Sequence, residues 1–326
     1  MSSEKPVHIL LALDAAADDA GPLASLATAI TAEVPGRGAR IEPIYVIHAD
    51  SLTLLDFVES NFASYKENLL AKLRKAVEKL DLPGLMPPTL LMAGSVTRQG
   101  CVNELLRYAR TTEADMIALS TQAKSGARRW LTGSFAETLM ATSTLPLLIV
   151  NPHDTWIRKK IRTILYPTDL STASKEGLNL LVRQLSEYVE GKQIRLVLFH
   201  QLDIVPFLYG PYPGVPTPQA SLDNDYAKRK DTGHEWALEL REKGLEARFT
   251  IRRRYLPPAD AIVYQARRMG ADLIALISHS SAIQGTLFGS TARQVLRKAS
   301  CPVWVVHAQD SKPARHQKGS DEARVA

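Results

Sequence analysis

The sequence predicts two related α/β units in one chain, each an open sheet of about five mainly parallel strands, and three observations carry this. Asp115-Met116-Ile117-Ala118-Leu119 returns as Asp272-Leu273-Ile274-Ala275-Leu276. Gly133-Ser134 returns as Gly289-Ser290, and Leu145-Pro146-Leu147-Leu148-Ile149-Val150 as Cys301-Pro302-Val303-Trp304-Val305-Val306. Near the two beginnings, Ile9-Leu10-Leu11-Ala12-Leu13-Asp14 answers Ile164-Leu165-Tyr166-Pro167-Thr168-Asp169. A repeat of this length is a whole domain used twice, not a solenoid unit. A chain of 326 residues suits two such domains, each large enough to bury its own core.

Taken in order, Val7–Leu13, Ile41–Ile47, Thr89–Met92, Met116–Leu119 and Leu147–Val150 read as the strands of the first half. They are almost continuously apolar, as strands covered on both faces of a parallel sheet are. Between the third and fourth lies Val102, Leu105, Leu106 and Ala109, a helical stripe at i, i+3, i+4 and i+7. Ala259, Ile262, Val263 and Ala266 repeat it, behind Pro257 and Pro258, which suit a helix start. Ala136, Leu139 and Met140 after the first Gly-Ser pair are echoed by Ala292, Val295 and Leu296. These stripes are core packing, and the alternation implies right-handed βαβ crossovers. Residues 151–160 read as a linker, and 312–326 as a loose polar tail. Asp203–Ser221 holds five prolines, Pro206, Pro211, Pro213, Pro216 and Pro218, and is expected to be irregular.

Composition is that of a soluble globular protein, 45% hydrophobic and 23% charged. No apolar run approaches the length of about 18 residues that a membrane span needs, so no membrane partner is expected. Two cysteines, Cys101 and Cys301, make no disulfide framework and favour a cytoplasmic home. The net charge of +6 gathers in Arg158-Lys159-Lys160, Arg252-Arg253-Arg254 and the tail. Such clusters suit nucleic acid. A solvated linker, a strand end and a tail account for them more simply, and no aromatic interleaving supports nucleic-acid binding. The eight histidines show no metal-ligand spacing. His48 and His200, each at the end of a second strand, suggest matched structural or ligand-lining positions.

Ligands of open α/β sheets sit beyond the carboxyl ends of the strands. Asp14 and Asp169 end the first strands, Ser120-Thr121-Gln122-Ala123 and Ile277-Ser278-His279-Ser280 leave the fourth, and the Gly-Ser pairs open helices. A helix start with a hydroxyl offers N–H groups to an anion, but Ser134 and Ser290 would equally serve as simple caps.

The Tyr166-to-Ser171 segment, the Asp272-to-Leu276 strand, Gly289-Ser290 and Cys301-to-Val306 resemble the universal stress protein family, and the first half matches too. The chain thus resembles a tandem universal stress protein. That resemblance implies a Rossmann-like fold, two open five-stranded parallel sheets with helices on both faces, paired about a pseudo-two-fold axis. It implies domains at 1–152 and 158–308, a flexible tail at 309–326, and a stress-response role through ligand sensing, a protein partner or a homo-oligomer.

One branch of the family binds ATP through a loop of the pattern Gly-x2-Gly-x9-Gly-Ser/Thr, in which glycines let the backbone approach phosphate. In the first half Ser120 and Ala123 replace two of those glycines, while the spacing, Gly133 and Ser134 are kept. Arg128 and Arg129 lie inside this loop. Asp14, Ser120, Thr121, Ala123, Arg128, Gly133 and Ser134 are therefore the candidate residues for a weak site for ATP, an adenine nucleotide. The second loop is one residue shorter, contains no arginine, and places Ile277 where backbone approach is wanted. Asp169, Ser278, Gly289 and Ser290 form its degenerate counterpart. No catalytic or metal-binding set is expected.

Overall fold

The computed structural model describes residues 6–13, 38–47, 59–78, 84–95, 97–120, 134–150, 161–188, 194–202, 219–253, 256–278 and 289–307. The strands of the first half are β1 (Val7–Ala12), β2 (Ala39–Ile47), β3 (Thr89–Met92), β4 (Met116–Ser120) and β5 (Leu147–Val150). Those of the second are β6 (Thr163–Pro167), β7 (Arg195–Leu202), β8 (Glu246–Arg253), β9 (Leu273–Ser278) and β10 (Val303–His307). The described helices are α1 (Glu59–Glu78), α2 (Arg98–Thr111), α3 (Ser134–Thr142), α4 (Thr172–Tyr188), α5 (Gln219–Glu242), α6 (Pro258–Met269) and α7 (Ser290–Lys298). The linker 151–160 and the tail lie outside the described residues. So do residues 203–218 of the proline-rich stretch, but Gln219, Ala220 and Ser221 already belong to α5.

The two expected sheets are joined into one of ten strands, in the order β3-β2-β1-β4-β5-β10-β9-β6-β7-β8. Within each half every pairing is parallel. At the seam β5 and β10 run antiparallel, Val303 opposite Ile149, Trp304 opposite Leu148 and Val305 opposite Leu147. The physical reason is in the strands themselves. Leu147–Val150 and Val303–His307 are buried at every position, and an apolar edge with unpaired N–H and C=O groups invites association. Here each strand is the other's cover.

Strand alternation sends side chains to two apolar layers, and both cross the seam. One contains Leu11, Met116, Leu148, Trp304, Ala275 and Tyr166, beneath α4 and α5. The other contains Leu10, Ile117, Ile149, Val303, Ile274 and Leu165, beneath α2, α3, α6 and α7. The predicted stripes face it: Val102, Leu105 and Ala109 on α2, and Ala259, Ile262, Val263 and Ala266 on α6, are all buried. Local signals agree. Thr97 caps α2 by accepting from the Gly100 N–H at 3.1 Å, and Gly270 ends α6 in the left-handed region at φ 61°.

The repeated aspartate that opens the β4 and β9 motifs is structural. Asp115 accepts from the His8 backbone N–H at 2.8 Å, and Asp272 from Arg162 and Thr163 at 3.0 and 2.9 Å. Each ties its strand to the start of the neighbouring β1 or β6. The register also corrects the histidine match. Ile9 pairs with Ile41 and Ile164 with Leu196, so His200 corresponds to Tyr45 and not to His48, which lies outside the described residues.

His307 ends β10 with 1% of its surface exposed, and neither ring nitrogen is hydrogen-bonded among the described residues. Burial pushes its pKa down to about 4. The folded chain therefore keeps the ring neutral, while the unfolded chain takes up a proton below an ordinary value of about 6.5. Stability from this site is lost as pH falls from that value toward 4, by about 2 kcal/mol between pH 7 and 5. Denaturant titrations should show this loss shrinking by that amount in His307→Leu; an unchanged pH profile would contradict the assignment.

Candidate functional site

Chain order in the second half reverses between β6 and β9, and the crevice beyond their carboxyl ends is the expected ligand position. Thr168 and Asp169 follow β6, and register sets Thr168 level with Ile277. The residues around them bind mostly to one another. Leu170, at φ 64°, donates its N–H to Thr168 Oγ1 at 2.9 Å. Asp169 Oδ1 accepts the Ser171 N–H at 2.9 Å and the Ser174 hydroxyl at 2.5 Å. Ser171 Oγ accepts the Ser174 N–H at 3.2 Å, and the Tyr166 hydroxyl donates to the Ser174 carbonyl at 2.6 Å. Burial works against the Asp169 charge, but the Ser171 and Ser174 bonds outweigh it and hold the carboxyl below its ordinary value. Ser171 thus caps α4, and that Asp169 oxygen is committed to the turn before it.

His200 closes the next layer. Its Nδ1 lies 2.8 Å from the Thr168 carbonyl and its Nε2 3.5 Å from Arg229 Nη1. Burial lowers its pKa, against the Thr168 hydrogen bond, so the neutral ring donates to that carbonyl. Arg229 is itself held by Asp225 at 2.8 Å. This network escaped sequence reasoning, because its partners come from β6, β7 and α5 at no fixed spacing. No hydroxyl within it faces a free imidazole nitrogen, so it is not built as a nucleophile and base. Among the described residues no group of three His, Cys, Asp or Glu side chains is arranged to hold a metal.

Ile277 lies against Gly177 of α4. A Cβ on Gly177 would stand 2.5 Å from Ile277 Cγ1 and 2.8 Å from Cγ2, so glycine is what lets this side chain fit. Beyond it, Ser278 ends β9 opposite His307. Gly289 precedes α7 at φ −56°, with open space where a Cβ would stand and no side-chain cap. Ser290 is the exposed first residue of α7 and not its cap. In the first half, Ser120 ends β4 opposite Val150 and Ser134 opens α3. Asp14, Thr121, Ala123, Arg128 and Gly133 lie outside the described residues.

The Gly177–Ile277 contact gives a sign test. Gly177→Ala should destabilise the protein by about 1–3 kcal/mol through overpacking. In an Ile277→Ala background the same change should become neutral or stabilising, by up to about 1 kcal/mol, as alanine does in an open helix. Equal effects of Gly177→Ala in both backgrounds, read from denaturant midpoints, would contradict the packing.

Comparison with known proteins places this arrangement. The sequence model of the universal stress protein family matches twice, over residues 7–151 and 160–307. A universal stress protein of Methanocaldococcus jannaschii is 26% identical over 151 residues, 44% of this chain and 81% of that protein. The crystal structure of a universal stress protein from Archaeoglobus fulgidus covers 92% of this chain and 98% of its own, at TM-score 0.60 and 17% identity. A functionally unknown protein of Pseudomonas aeruginosa covers 93% of each chain at TM-score 0.56 and 13% identity. These two likenesses are of fold; the doubled sequence match assigns the chain, which belongs to the universal stress protein family as a tandem member.

Proposed function

We propose that this protein is a non-enzymatic stress-response regulator that senses a small ligand or a protein partner, and that its second crevice is not a nucleotide site. The observation that carries the reading is the Ile277 side chain packed into the notch left by Gly177. A phosphate loop needs backbone N–H groups bare of side chains at that point. Asp169, the other candidate there, has one carboxylate oxygen taken by Ser171 and Ser174. Two free, buried cysteines accord with a reducing compartment such as the cytoplasm. The rival reading, weak ATP binding by the first half, rests on the kept loop spacing with Arg128, Arg129, Gly133 and Ser134.

The seam makes the whole chain the proper sample, since separated halves would each expose an apolar edge. Calorimetry of the full chain with ATP should give at most one site, weak, and unchanged by Ser290→Ala. Two ATP per chain, or loss of a site on Ser290→Ala, would contradict the proposal.

A further inference from the structure

The triplet Arg252-Arg253-Arg254, which the function above leaves unused, begins at a cavity of about 270 Å³ between α6 and the end of edge strand β8. Phe199, Leu256 and Ala261 give it an apolar floor. The Gln201 amide braces that floor by donating to the Leu256 carbonyl at 2.5 Å. Among the described residues, every charged one lining it is an arginine: Arg252, Arg253 and Arg268. Arg253 is occupied, paired with Asp223 at 2.8 Å and stacked over Tyr226 at 3.9 Å. Arg252 and Arg268 are exposed and make no hydrogen bond or ion pair among the described residues. Gln265 also lines the cavity, 5% exposed, and its Oε1 has no hydrogen-bond partner among the described residues. A buried acceptor left unmet is costly, typically about 1–3 kcal/mol.

The first half shows what this place looks like when it is filled. Register equates Arg252 with Leu91, and the matched helix stripes equate Gln265 with Tyr108 and Arg268 with Thr111. Leu91 is buried. Tyr108 donates to Glu42 at 2.5 Å, and Thr89 and His8 Nε2 reach the same carboxylate at 2.7 and 3.0 Å. Glu42 corresponds to Val197 in the second half, so the carboxylate that closes the network is absent there. One copy satisfies its polar groups internally. Among the described residues, the other presents two guanidinium groups and a buried acceptor without partners, around an apolar floor.

We infer that this cavity binds a small organic anion, with Arg252 and Arg268 gripping a carboxylate or phosphate and Gln265 accepting a hydroxyl or N–H of the same molecule. Guanidinium forks match either anion in bidentate fashion. The volume of about 270 Å³, just below the roughly 300–1,000 Å³ usual for ligand sites, suits a small metabolite. The inference gives the ligand-sensing proposal a place, and it rests on that reading only for its purpose.

The test uses the full chain and three probes in calorimetry: inorganic phosphate, glycerol 3-phosphate and 4-hydroxybenzoate. One organic anion should bind once per chain, at least tenfold tighter than inorganic phosphate. Which one does so distinguishes a phosphate ester from a carboxylate. Arg252→Leu and Arg268→Thr, the residues of the first half, should each weaken it tenfold or more, and Gln265→Leu should remove its advantage over inorganic phosphate. Arg110→Leu, an equal loss of charge elsewhere, should change nothing. Neither organic anion exceeding inorganic phosphate, or equal weakening by Arg110→Leu, would overturn the inference. The outcome is separable from the ATP titration, because Ser290 reports on the crevice and Arg252 and Arg268 on this cavity.

Discussion

The antiparallel seam between β5 and β10 is the constraint on which the rest depends. Two strands buried at every position cannot end a sheet in water, and pairing them removes both edges at once. The consequence reaches beyond the strands. Both apolar layers run across the seam, so residues of the two halves share each core instead of meeting at a docking surface. The sheet's free edges are then β3 and β8, and both are less buried than the seam. β8 alternates buried Ala247 and Phe249 with exposed Glu246 and Arg248, and charged edge residues discourage further pairing.

With the frame fixed by the shared core, the two copies have been free to differ where the frame makes no demand. Asp115 and Asp272 do the same work in both, holding β4 and β9 to their neighbours through backbone N–H groups. Along β7 and β8 the copies part. The first buries a carboxylate satisfied by tyrosine, threonine and histidine, which locks α2 to β2 and β3. The second has valine in place of that carboxylate and arginines around the space. A buried charge needs its full set of partners, so losing Glu42's equivalent removes the reason for the others.

Much of the fold is legible in the sequence. Thr89–Met92 and Leu147–Val150 can be read at their true limits, because short, mostly apolar runs preceded by proline and followed by turn residues leave little room for error. Continuity of the sheet is harder to read. Apolar β5 and β10 announce that something covers them, and duplication offers each the other as partner, but pattern alone does not give the register of the ladder that joins them. The site is less legible for the same reason. Asp169 and Ile277 stand out by position, but their meaning lies in contacts with Ser174 and Gly177, set by the crossing of α4 over β9. The His200–Thr168 contact depends on strand register and the burial of Gln265 on how α6 packs over the sheet, which no spacing encodes. Arg252 and Arg253 look like a solvated strand end; one of them is held by Asp223, and the other borders a cavity.

Native-state amide hydrogen exchange tests the central claim most directly, because edge strands and interior strands differ in the opening that exposes them. If β5 and β10 form the middle of one sheet, the amides of residues 147–150 and 303–306 that point across the seam should exchange only with global unfolding. Their protection should match that of the β1–β4 and β6–β9 amides. Exchange of these seam amides through a smaller, local opening, while β1, β4, β6 and β9 stay protected, would contradict a continuous sheet and return the chain to two independent halves.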